Sequence, residues 1–195
     1  MISLADFEET GALLTGHFRL SSGLHSDRYL QCARLLMWPE RAERAGQELG
    51  TKLAEFSPAA VISPALGGVV IGHETARALK LPAMFVERKD GAFALRRGFS
   101  LEPGQPIVVV EDVFTTGKST REAAAAVEAA GGRVVAVGSI VDRGLPPTRS
   151  RFRLDLFSRS PCRPGRRPSV RCAAKADRWN RPAAGSRPAR RADSP

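Results

Sequence analysis

Apolar and polar positions along the chain alternate between two periods, and this switching predicts buried strands separated by helices. The strongest strand signal is Ile107-Val108-Val109-Val110, an unbroken β-branched run of the kind covered on both faces. Ala59-Ala60-Val61-Ile62-Ser63, the stretch Pro82 to Glu87 and the stretch Arg133 to Arg143 read as further buried strands. Helical period appears in Pro39 to Phe56, where Pro39 occupies the first turn and Glu and Arg recur at helical spacing. It returns in the segment that follows Pro64-Ala65-Leu66-Gly67-Gly68 and runs to about Leu79. A third helix is predicted from Arg121-Glu-Ala-Ala-Ala-Ala-Val-Glu-Ala-Ala, closed by Gly131-Gly132. Ser3 to Leu14 reads as an amphipathic helix with Leu4, Phe7, Ala12 and Leu14 on one side. Phe18 and Leu20 then alternate with polar residues, and Ser21-Ser22-Gly23 turns the chain into a short strand at Tyr29-Leu30. The sum is an α/β protein with a mostly parallel sheet of about five strands flanked by helices.

Length and composition narrow this picture. The 195 residues suit one domain with a real core. No charged-then-apolar leader and no apolar run near the length of a membrane span is present, so neither export nor a membrane is expected. Cys32, Cys162 and Cys172 are widely placed without metal-ligand spacing, which fits a reduced, cytoplasmic chain. The net charge of +10 would ordinarily point to nucleic acid, but it is unevenly placed. Residues 144–195 hold 14 basic and 3 acidic residues and 8 of the 14 prolines, whereas residues 1–143 carry a net charge of −1. The chain therefore reads as a near-neutral globular part followed by a basic, proline-rich piece, and nucleic acid is not the expected partner.

The candidate chemistry sits where the Ile107–Val110 strand should end. Glu111 and Asp112 are followed by Val113-Phe114 and a hydroxyl- and glycine-rich turn, Thr115-Thr116-Gly117-Lys118-Ser119-Thr120, which opens the third helix. Strand, turn, helix is the geometry that binds a phosphate, because the first-turn amides point at the anion and the helix dipole favours it. A P-loop is excluded, since the glycine required five residues before Gly117 is Asp112. Two adjacent carboxylates can accept hydrogen bonds from vicinal sugar hydroxyls while the turn takes a phosphate; the bland alternative is an ordinary strand with solvated terminal acids. Ala65-Leu66-Gly67-Gly68 is a second strand–turn–helix anion site, so a substrate with phosphates at both ends is expected. Arg88 and Lys89 end another strand beside these turns, and two cations there can neutralise a leaving anion.

Glu111 to Ser119 resembles the 5-phosphoribosyl-1-pyrophosphate (PRPP) signature of the type I phosphoribosyltransferases. Phe18, Leu20, Ser22, Gly23, Ser26 and Tyr29 are similar to the N-terminal hood of the orotate enzymes in that family, with Ser21 where many members carry a substrate-reaching lysine. The resemblance implies a hood over about 1–36, a core over about 37–143, and transfer of the phosphoribosyl group to orotate with Mg²⁺ held mainly through substrate oxygens rather than by a dedicated metal site. It implies that Glu111 and Asp112 hold the ribose and that Val113, Phe114, Thr115, Thr116, Gly117, Lys118 and Ser119 form the PRPP loop. Ala65, Leu66, Gly67 and Gly68 would hold pyrophosphate, with Arg88 and Lys89 beginning a catalytic loop that acts in the neighbouring subunit of a homodimer over 88–98. Thr115, Arg143, Tyr29 and Leu30 would contact orotate. The shorter loop lacks the Lys-x-His-Gly-Glu-Gly of many members and resembles a second subgroup; Arg96 and Arg97 are then candidates, with a solvated hairpin face the expected assignment. His17 and His25 read as hydrogen-bonding hairpin residues rather than a catalytic pair. A purine-type transferase and a non-catalytic PRPP-sensing or nucleic-acid-binding relative are the alternatives.

The resemblance stops at Arg143. Beyond it, Pro146-Pro147-Thr-Arg-Ser-Arg and Arg163-Pro-Gly-Arg-Arg-Pro keep no sustained period of 2 or 3.6, a composition poor at burying a core. High Arg, Pro, Ala, Gly and Ser content is what GC-rich DNA yields out of frame, so a frame shift near Arg143–Gly144 is expected ahead of a functional basic arm.

Overall fold

The computed structural model describes residues 2–19 and 25–142. In chain order these form α1 (Leu4–Glu9), β1 (Leu13–Arg19), β2 (His25–Leu30), α2 (Cys32–Leu36) and α3 (Pro39–Leu53), the last extended by a 3₁₀ turn over Ala54–Phe56. There follow β3 (Ala60–Pro64), α4 (Gly68–Leu79), β4 (Ala83–Lys89), β5 (Ala92–Leu95), β6 (Pro106–Phe114), α5 (Lys118–Ala129) and β7 (Arg133–Asp142). The chain divides into two units: among described residues, one comprises 2–14 and 30–142, the other 15–19 and 25–29.

The larger unit is built on a five-stranded sheet in the order β5-β4-β3-β6-β7. β3 runs parallel to both β4 and β6, β6 runs parallel to β7, and only the β4–β5 edge is antiparallel. This is the mostly parallel α/β sheet that the strand–helix alternation predicts. From β3 the chain crosses by α4 to β4 on one side; from β6 it crosses by α5 to β7 on the other. Right-handed crossovers in opposite directions put the two helices on opposite faces of the sheet. The cores record this. Val108 and Val110 pack with Leu49, Ile71 and Ala76 of α3 and α4, while Ile107 and Val109 pack with Ala123 and Val127 of α5. All four of these β6 residues are fully buried.

Three expectations change. Ser3 to Leu14 is not one helix: α1 ends at Glu9, where the Thr10 hydroxyl donates to the Asp6 carbonyl at 2.7 Å, and Leu13-Leu14 open β1. The helical spacing of Leu4 and Phe7 is genuine; Leu13 and Leu14 serve a strand instead. The second short strand begins at His25, four residues before Tyr29. β6 does not stop before the acids but continues through Glu111 and Asp112 to Phe114, because β7 pairs with it as far as Asp142. Of the residues expected in the hood, Phe7, Cys32 and Leu35 belong to the main core. In the smaller unit, Phe18 and Tyr29 lie with ring centroids 5.6 Å apart and the His17 and His25 rings stack at 4.7 Å. Residues 144–195, with their charge and expected change of frame, lie outside the described residues, as do Leu20 to Leu24 and Arg143.

Candidate active site

Period two decides where the paired acids point. Side chains of a strand alternate between faces, so the residue after Val110 faces α5 and the next faces α4. Glu111 accepts a short hydrogen bond from the Thr120 hydroxyl in the first turn of α5. Asp112 lies instead against the β3–α4 turn: a Cβ added to Gly67 would sit 2.9 Å from its Oδ2. The two carboxylates thus grip different elements from the point between β3 and β6 where the crossovers diverge. That switch point, at the carboxyl ends of the strands, is where open α/β sheets bind ligands.

Both acids titrate above their ordinary range. Burial drives Glu111 up; the Thr120 bond opposes this and the neighbouring Asp112 charge adds to it. Burial likewise raises Asp112, against the backbone N–H of Val113, which donates to Oδ1 at 2.8 Å. The Cys32 thiol sits 3.7 Å from the Asp112 carbonyl and braces the strand end from α2.

The flanking turns differ in chemistry. Between β6 and α5, Gly117 takes φ +68°, a conformation open to glycine, and caps α5. Thr115, Thr116 and Lys118 are exposed and Ser119 half-buried around the helix's first amides. The Lys118 amide is 3.4 Å from the Thr116 hydroxyl, and the Arg121 guanidinium donates to the Thr116 carbonyl at 3.1 Å, tying the turn to its helix. Between β3 and α4, Ala65 and Leu66 are joined by a cis peptide, Leu66 is 85% exposed, and the turn offers backbone alone.

Arg88 and Lys89 end β4, as the sequence leads one to expect, and pair with Phe93 and Ala92 of β5 across Asp90-Gly91. Strand pairing carries β4 two residues beyond the Pro82 to Glu87 stretch. Arg88 donates to Glu122 at 2.7 Å and to the Gly91 carbonyl at 2.7 Å, and stacks 4.4 Å over Phe93. Lys89 is exposed. Arg96 and Arg97 both pair with Glu87, at 3.4 and 2.9 Å, on the exposed hairpin. Leu30 packs against the main core, while Tyr29, 38% exposed, belongs to the smaller unit. Sequence reasoning missed Thr120 and Glu122. Thr120 sits one residue beyond the loop assigned to PRPP, and only the position of α5 over β6 and the β4–β5 hairpin reveals either contact. Among the described residues no helix is long and apolar enough to cross a membrane.

Comparison with known proteins agrees with this geometry. The phosphoribosyl transferase domain model matches residues 35–155. An orotate phosphoribosyltransferase of Rhizorhabdus wittichii is 59% identical over 143 residues, spanning 72% of this chain and 73% of that protein. One from Thermotoga maritima is 49% identical over 136 residues, 70% of this chain and 73% of that protein. The crystal structure of orotate phosphoribosyltransferase from Aeropyrum pernix superposes with a TM-score of 0.59 at 30% identity, covering 71% of this chain and 80% of that one. The chain belongs to the phosphoribosyltransferase family, in its orotate phosphoribosyltransferase branch.

Proposed function

We propose that this chain transfers the phosphoribosyl group of PRPP to orotate, giving orotidine 5′-monophosphate and pyrophosphate. The carrying observation is the meeting of two anion turns and two carboxylates at the switch point between β3 and β6, in a chain 59% identical to an orotate phosphoribosyltransferase. The bond from the anomeric carbon to pyrophosphate breaks, a bond from that carbon to the pyrimidine nitrogen forms, and the nitrogen's proton is lost. Thr115 to Ser119 hold the 5′-phosphate at the start of α5. Glu111 and Asp112 accept from the ribose hydroxyls, each ionised for this task with help from Thr120 or the Val113 amide.

Ala65 to Gly68 receive pyrophosphate through backbone donors, and there the Asp112 carboxylate opposes it directly across Gly67. A divalent cation held there would remove that conflict. Carboxylate and phosphate oxygens are the hard donors Mg²⁺ prefers, so Asp112 and the substrate would hold it. Bound there, Mg²⁺ would supply positive charge for the departing pyrophosphate. Lys89 and Arg88 add further positive charge where the leaving group develops its own. Thr115, Arg143, Tyr29 and Leu30 contact orotate in this reading, the arginine fork matching a carboxylate.

The test is PRPP- and Mg²⁺-dependent consumption of orotate by the purified chain, lost in Asp112→Asn and Lys89→Ala. A soluble, folded chain without turnover would overturn the reading, and turnover of purine bases in its place would make it a purine-type enzyme. The proposal includes a cytoplasmic homodimer in which the segment 88–98 serves the partner's site. Mixing inactive Lys89→Ala and Asp112→Asn chains should then restore activity through hybrid dimers; no recovery in proven hybrids rejects the arrangement. It also includes a domain of 1–143 and an out-of-frame end from 144. Resequencing the DNA across codons 140–150 checks this, and a reproducible frame that encodes the same basic, proline-rich end rejects it.

A further inference from the structure

We infer that Glu122 is a positioning residue for PRPP binding, holding Arg88 through one carboxylate oxygen and Lys118 through the other. The inference rests on the proposed function only in taking Arg88 and Lys118 as anion ligands. Glu122 lies in the second turn of α5, one helical turn beyond Lys118, so it faces back over the phosphate turn. Its Oε2 accepts from Arg88 Nη2 at 2.7 Å, and its Oε1 lies 3.7 Å from Lys118 Nζ. The Arg88 cation beside it holds the Glu122 carboxyl below its usual range.

The geometry favours positioning over mere charge balance. Arg88 is fixed at three points: the Glu122 carboxylate, the Gly91 carbonyl and the Phe93 ring. These contacts occupy one face and two N–H groups of a fork that has five donors. The remaining donors are left for a phosphate, on a guanidinium already in place. Freezing a long cation before its ligand arrives removes an entropic cost from binding. Lys118, 74% exposed at the start of α5, lies 3.7 Å from the same carboxylate. All three groups belong to one chain, so the positioning is intramolecular even where the segment 88–98 serves a neighbouring site.

The decisive measurement is the PRPP dissociation constant, by calorimetry with excess Mg²⁺, for the full chain and for Glu122→Ala, Arg88→Ala and the double variant. This readout needs no turnover, so it separates the inference from the catalytic reading. Exposed ion pairs are weak, and Glu122→Ala should weaken PRPP binding about three- to fivefold. In the Arg88→Ala background the same change should cost less than about twofold, because there is little left to position. Glu122→Asp should recover part of the loss. Independent, multiplying effects of Glu122→Ala and Arg88→Ala would overturn the inference while leaving the proposed activity intact. So would unchanged binding in Glu122→Ala, and a wild-type chain that binds no PRPP would overturn both.

Discussion

The two turns that flank the paired acids solve the same problem with opposite means. The β6–α5 turn offers an anion hydroxyls, a lysine and a helix start capped by Gly117. The β3–α4 turn has no hydroxyl and no cation, and it lies against a carboxylate. On the proposed function, the first site would be complete in protein, whereas the second would draw its positive charge from a metal and from the β4–β5 hairpin. The contrast suits a sugar carrying phosphates at both ends, which the proposed function would hold by one permanent anchor and one conditional one. Such a split would keep the phosphate end bound while the pyrophosphate end is released.

The largest effect should come from the conditional side. In the proposed reaction Asp112→Asn would remove a ribose acceptor and the carboxylate oxygen offered to a metal, and kcat/KM should fall by about 10²-fold or more. The same substitution should stabilise the fold. Burial raises the folded-state pKa of Asp112, so its contribution to stability is complete below the ordinary aspartate value and is lost as pH rises through the raised one. At neutral pH the buried charge is a cost, and melting of Asp112→Asn should occur about 2–4 °C higher, with the gap closing in acid. A lower melting temperature at neutral pH would remove this account of the carboxylate.

Gly67→Ala ranks next. Its backbone suits alanine, at φ −59°, but the added methyl would stand 2.9 Å from Asp112 Oδ2. PRPP binding should weaken about tenfold with little change in melting temperature, and equal binding would show that the turn has room to spare. Gly117→Ala tests conformation instead, since its φ of +68° is one that alanine rarely adopts. It should cost about 1–2 kcal/mol of stability, read by denaturant titration, together with weaker 5′-phosphate binding.

Thr120→Val addresses the permanent side more gently. Without its hydroxyl, Glu111 loses the interaction that opposes burial, so its pKa should climb further. The acid limb of the pH–kcat/KM profile should move to higher pH, and an unmoved limb would mean that Glu111 need not be ionised. The smallest effects belong to Arg96→Ala and Arg97→Ala. Both guanidiniums are committed to Glu87 on an exposed face, and activity should stay within about twofold.

What could be read from sequence was local. The run Ile107 to Val110 announced a strand buried on both sides, and Arg121 onward announced a helix; each is where its composition places it. The end of a strand is a different kind of fact. Glu111 and Asp112 look like a terminus because charge normally marks one, yet β7 keeps pairing with β6 for several residues more. That partner lies far along the chain and leaves no local mark. The same holds for Arg88 and Glu122, 34 positions apart, and for Thr120 under Glu111. Contacts of that range depend on which way each crossover turns, and handedness acts on the assembled sheet rather than on any one segment.

The alternation along β6 has a consequence for how this chain can change. Substitutions between Ile107 and Val110 are tolerable so long as they remain apolar and of similar volume. Loss or gain of a single residue there is another matter. It would leave the composition untouched but reverse the phase of everything beyond it, turning one acid toward the wrong helix and the other away from Gly67. The strand works as a timing element, and its length is constrained more tightly than its letters.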